Sequence, residues 1–130
     1  APAFKEGKVT ERLRQYETDL VVLAGFLLRV PNDMLEAYPN QIVNIHPSLL
    51  PKFGGKGMYG SKVHEAVLAA GEAESGITIH YINEHYDEGA IILQAQCPVI
   101  AGDTPDALAS RVHQLEYEHY PQVIEQLLAQ

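Results

Sequence analysis

Two short apolar runs decide what this chain can fold into. "DLVVLAGF" (19–26) and "QIVNIH" (41–46) are almost continuously apolar, so strands built from them need cover on both faces, as in a buried parallel sheet. Between them, "PNDMLEAYP" (31–39) offers Asn32 or Asp33 as a cap and two prolines as brackets, which predicts a short helix. That order already points to an α/β architecture with parallel pairing first.

The remainder continues the pattern. Thr10 to Tyr16 is charged and helix-compatible. Residues 47–60 carry prolines and closely spaced glycines, predicting a long loop of the kind that often carries function. Ser61 is a candidate cap for a helix running to about Ala70 and stopping at Gly71. "GITIHYIN" (76–83) and "IILQAQCPV" (91–99) read as strands joined by a hairpin through "EHYDEGA". The C-terminal stretch has Asp103 or Thr104 to cap a long helix, Pro105 in its first turn, and Pro121 placed to kink or split it. The chain of 130 residues, 46% hydrophobic, suffices for one core and predicts a single domain over residues 1–130.

Charge and cysteine usage exclude several partners. A formal net charge of −8 without a basic run argues against a nucleic-acid groove and an anionic membrane surface. No apolar stretch approaches the roughly 20 residues that span a bilayer, and the single Cys97 has no partner for a disulfide or a thiolate zinc site. A cytoplasmic setting is expected, with Cys97 packed in the core. The chain opens at Ala1 rather than methionine, which suggests a fragment.

Two motifs are decoys. "GKGMYG" (55–60) satisfies G-x-G-x-x-G, but "PSLLPKFG" separates it from the preceding strand, whereas the dinucleotide fingerprint needs its glycines directly at the strand-to-helix turn. A mobile surface loop is the preferred reading. His80, His85, His113 and His119 occur in pairs without an H-E-x-x-H spacing or a convergent third ligand, so no metal is expected. His113 and His119 are placed on a partly solvated helix.

Chemistry concentrates in "NIHPSLLPKFGG" (44–55). Side chains two apart on a strand share a face, so Asn44 and His46 reach one spot at the carboxyl end of a parallel strand, where open α/β sheets bind ligands. The alternative is that both merely satisfy loop backbone. Asp87, in "EHYDEGA", reads by itself as a turn former.

These segments, together with "ASRVHQLEYEHYP", resemble the glycinamide ribonucleotide (phosphoribosylglycinamide) formyltransferases of purine biosynthesis over almost the whole chain. N-I-H-P-S-L-L-P followed by D-x-G before I-L-Q carries the likeness, and the HPSLLP spelling favours these enzymes over methionyl-tRNA formyltransferases and formyltetrahydrofolate deformylases. The resemblance implies a Rossmann-like formyltransferase fold: a mostly parallel twisted sheet flanked by helices, with a C-terminal hairpin and a long C-terminal helix. It implies transfer of a formyl group from 10-formyltetrahydrofolate, the co-substrate, to the amine of glycinamide ribonucleotide, without a metal. A deformylase or another transferase using the same donor is the alternative, and a non-enzymatic nucleotide-binding module on "GKGMYG" the third reading.

By the same resemblance Asn44, His46 and Asp87 are catalytic. Asn44 would donate to the tetrahedral oxyanion, and the Asp87 carboxylate would raise the His46 pKa so that a charged imidazole stabilises it and supplies a proton. Leu27, Leu28, Arg29 and Val30 would line the pterin pocket. Asn83, Glu84, His85, Tyr86 and Asp87 would wrap the folate ring beside Asn44. Pro47, Thr78, His113, Gln114, Leu115 and Glu116 would serve the ribonucleotide, Glu116 through its ribose hydroxyls. Partners are small molecules, with neither nucleic acid nor membrane, and the resemblance allows a homodimer. The family begins with a strand and a glycine-containing phosphate loop that Ala1 to Tyr16 does not spell. The resemblance therefore implies a fragment with the folate-binding and catalytic part, which by itself could be inactive.

Overall fold

The computed structural model describes residues 20–24, 32–38, 41–55, 57–82 and 90–129. The expected helix at Thr10–Tyr16, the pterin segment Leu27–Val30 and the folate loop Asn83–Asp87 lie outside the described residues. The elements are β1 (Val21–Ala24), α1 (Asn32–Ala37), β2 (Ile42–His46), α2 (Ser61–Ala69), β3 (Glu74–Tyr81), β4 (Ile91–Pro98) and α3 (Pro105–Leu128). The strands form one sheet in the order β1-β2-β3-β4. β1 and β2 pair in parallel, while β2–β3 and β3–β4 are antiparallel. Parallel pairing among the described residues is thus confined to β1–β2, and this part of the sheet is mixed. The C-terminal hairpin and the long C-terminal helix are both present.

The two faces of the sheet differ because side chains alternate. Val43 and Ile45 of β2 and Ile77 and Ile79 of β3 point to one face, where Val63 and Val67 of α2 and Leu108, Val112, Tyr120 and Val123 of α3 meet them in the main core. Each such aliphatic side chain, wholly buried, contributes about 1.5–3 kcal/mol. Cys97 joins this core, as expected. A smaller cluster of Val21, Met34, Tyr38 and Ile42 seats α1. The Tyr120 hydroxyl donates to the Leu23 carbonyl and, at 3.4 Å, to that of Val43, tying α3 to β1 and β2. Burial raises the Tyr120 pKa well above the usual phenol value, so it stays a donor.

Helix ends follow local chemistry, with two departures from expectation. Thr104 caps α3, its Oγ1 accepting from Ala107 N at 3.1 Å. Asp103 instead holds the preceding turn, accepting from Ile100 N at 2.8 Å and pairing with Arg111 at 2.9 and 3.1 Å. Ser61 is the first residue of α2 rather than its cap; Gly60 occupies that position, with φ 56° and no side-chain bond. Gly71 ends α2 as expected: at φ 69° its N–H reaches Leu68 O and that of Glu72 reaches Val67 O, the 5→2 and 6→1 pair of a Schellman motif. Pro121 does not split α3, which runs unbroken through it. Packing of Tyr120 and Val123 on either side of the proline offsets the one backbone hydrogen bond it cannot donate.

Gly76 governs the hairpin. A Cβ there would lie 2.0 Å from the Ala95 carbonyl oxygen and 2.8 Å from Leu49 Cδ2, so β4 and the turn after β2 both close onto a position with no side chain. Gly76→Ala is expected to cost about 3 kcal/mol, the upper range of overpacking penalties. Chemical denaturation measures it, and a loss below 1 kcal/mol would show that the hairpin shifts freely.

Candidate active site

β2 changes character along one face. Ile42 packs in the α1 cluster, whereas Asn44 and His46, on the same side, are polar and only 3% and 4% exposed. The antiparallel register of β3 sets His80 opposite Asn44 and Thr78 opposite His46, and both are fully buried. Four polar side chains therefore share a face of a sheet whose reverse side is the apolar core.

The contacts separate their roles. His46 Nε2 lies 2.8 Å from the Phe53 carbonyl oxygen. A carbonyl only accepts, so Nε2 carries a hydrogen. The reading in which His46 satisfies loop backbone is thus correct for one nitrogen. It fails for Asn44: its Nδ2 is 3.5 Å from His80 Nε2, and its Oδ1 is buried without a hydrogen-bond partner. His80 Nδ1, 3.1 Å from Tyr81 O, is a donor, and the Asn44 amide faces its Nε2. That contact uses at most one of the two amide hydrogens.

Thr78, expected to serve the ribonucleotide, lies opposite His46, and its hydroxyl serves the turn. Oγ1 donates to Ser48 O at 2.7 Å and accepts from Leu50 N and from Gln94 Nε2, each at 3.0 Å. Pro47 begins the same turn, half-buried. On α3, His113 and Gln114 are exposed, Glu116 is half-buried, and Leu115 packs against the main core. His64 of α2 links the two regions: its pKa is lowered first by burial, then by the nearby imidazoles of His113 and His46. His64 and Gln94 were not expected at the site; the alternation T-x-H on β3 facing N-x-H on β2 was the available signal for His80. Asp87 and the residues expected to hold folate, Leu27–Val30 and Asn83–Tyr86, lie outside the described residues.

Glu116 titrates upward because burial penalises its carboxylate, an effect partly countered by His113. A carboxyl whose folded pKa exceeds its unfolded value costs stability at neutral pH, and the cost disappears as pH falls through the folded value toward about 4.5. Glu116→Gln is expected to raise the denaturation midpoint at pH 7 and to lose that advantage near pH 4. Equal midpoints for both proteins at pH 7 would contradict a destabilised carboxylate.

Residues 3–124 match the formyl transferase family. The chain is 50% identical over 119 residues to a chloroplastic phosphoribosylglycinamide formyltransferase of Vigna unguiculata, covering 92% of this chain and 38% of that protein. The crystal structure of phosphoribosylglycinamide formyltransferase from Bacillus halodurans superposes with a TM-score of 0.86 at 37% identity, covering 96% of this chain and 62% of that one. A formyltetrahydrofolate deformylase from Pseudomonas syringae is more distant, with a TM-score of 0.77 at 30% identity over 88% of this chain and 36% of that one. The chain thus spans well under two thirds of the first of these relatives. With a match over nearly its whole length, it belongs to the formyl transferase family.

Proposed function

We propose that this chain is the catalytic part of a phosphoribosylglycinamide formyltransferase, moving a formyl group from 10-formyltetrahydrofolate to the amine of glycinamide ribonucleotide. The observation that carries the reading is the buried Asn44–His46 pair on one face of β2, in a chain half identical to a relative of that name. The orphaned Asn44 Oδ1 and the unused amide hydrogen suit a ligand bearing both a donor and an acceptor, as an amine attacking a formyl group presents.

In the proposed reaction the amine nitrogen attacks the formyl carbon, and the carbonyl oxygen takes the negative charge. Asn44 donates an N–H to that oxygen, and His46, protonated at Nδ1 with Nε2 held on Phe53 O, adds positive charge and a proton. The C–N10 bond then breaks, the folate nitrogen regains a proton, and the amine loses one. Asp87 is proposed to keep the imidazole charged; Leu27–Val30 and Asn83–Asp87 would hold the folate, with Glu116, His113 and Gln114 on the ribonucleotide. An amide and an imidazolium supply the charge stabilisation, so no metal is invoked. The setting is proposed to be cytoplasmic, with small molecules as partners, a homodimer allowed, and neither nucleic acid nor membrane involved. Among the described residues no helix is long and apolar enough to cross a membrane.

The competing reading is a deformylase, which would give water the place of the amine. Incubating the protein that carries this chain with 10-formyltetrahydrofolate, with and without glycinamide ribonucleotide, separates the two. Transfer predicts formylated ribonucleotide and little formate. Equal formate in both reactions would establish the deformylase instead.

A further inference from the structure

His46, Thr78 and Gln94 are cross-strand partners in one row over β2, β3 and β4. The turn following β2 lies over this row and is bonded to it throughout. Gln94 Nε2 donates to Leu50 O at 2.9 Å and to Thr78 Oγ1 at 3.0 Å. Thr78 Oγ1 holds Leu50 N and Ser48 O, and Ser48 Oγ donates to Lys52 O at 2.7 Å. The next residue, Phe53, supplies the carbonyl that takes the His46 Nε2 hydrogen. Phe53 has φ 57°, a left-handed conformation that a bulky residue keeps only where its surroundings impose it.

We propose that Thr78 and Gln94 are positioning residues for His46, acting through the turn to aim the Phe53 carbonyl and so hold the imidazole by its Nε2 hydrogen. The hairpin thereby sets the orientation of a histidine on a different strand. A purely structural strut would hold the turn without this consequence. The positioning rests on the proposed transferase reading only for its kinetic effect, because the Nε2 hydrogen bond is observable without turnover.

The test is nitrogen-15 NMR of the imidazoles in the chain and in Thr78→Val, Thr78→Ser and Gln94→Met. The unsubstituted chain should show His46 protonated at Nε2. Thr78→Val and Gln94→Met should each speed solvent exchange of the Nε2 hydrogen about 3- to 10-fold, the value of one net hydrogen bond; Thr78→Ser should retain the original spectrum. In a transferase assay of the protein that carries this chain, the same two variants should lower kcat about 3- to 10-fold with the KM for the formyl donor nearly unchanged. Gln94 is exposed, so Gln94→Met should fold even if Thr78→Val does not. A folded Gln94→Met protein with the original Nε2 exchange rate would overturn the proposal. Altered spectra, with no transferase activity in the protein that carries this chain, would uphold the positioning and reject the transferase reading.

Discussion

His46→Ala in the protein that carries this chain is expected to lower the proposed formyl-transfer turnover at least about a hundredfold, the lower bound of what a positioned general acid contributes, while binding of the formyl donor is retained. Removing the ring also leaves the Phe53 carbonyl without its 2.8 Å donor. That carbonyl belongs to a turn already held by Thr78, Ser48 and Gln94, so the fold should persist at a cost of about 1–3 kcal/mol. Steady-state kinetics with a thermal melt separates the two effects. Turnover within tenfold of the unsubstituted protein would remove His46 from the chemistry.

For Asn44→Ala the expected loss is about 10²- to 10³-fold, the range for deleting one oxyanion donor, yet stability should barely fall. Oδ1 is buried without a partner, which costs about 1–3 kcal/mol in the resting protein, and alanine removes that cost while opening a small cavity of opposite effect. A structural asparagine would behave in reverse, losing melting temperature with little change in rate. That reversed pattern would assign Asn44 to the scaffold. The expected divergence between rate and stability is what a site keeps when a polar group is held ready for a substrate.

Much of this was legible in the residues. β1 and β2 follow from apolar runs, α1 from its bracketing prolines, and the end of α2 from Gly71, because each signal acts within a few residues. The pairing of Asn44 with His46 follows from the two-residue repeat of a strand. Ser61 misled as a cap because the turn reached α2 through a left-handed Gly60. Pro121 misled because side-chain packing in α3 outweighs one missing hydrogen bond. His80, read first as one of several paired histidines without a metal spacing, proved to face Asn44 only once the β2–β3 register was known.

The sequence by itself determined the strands, the helices and the identity of the amide and imidazole at the end of β2, since these depend on local periodicity and on residue types that apolar packing would not choose. Only the tertiary structure decided that β3 runs antiparallel to β2, that Thr78 and Gln94 grip the turn, that Phe53 takes one His46 nitrogen, and that Glu116 is half-buried. Register, burial and hydrogen-bond partner are set by segments distant in the chain meeting across one sheet. No short stretch of residues encodes such contacts, because they depend on how all the segments pack at once.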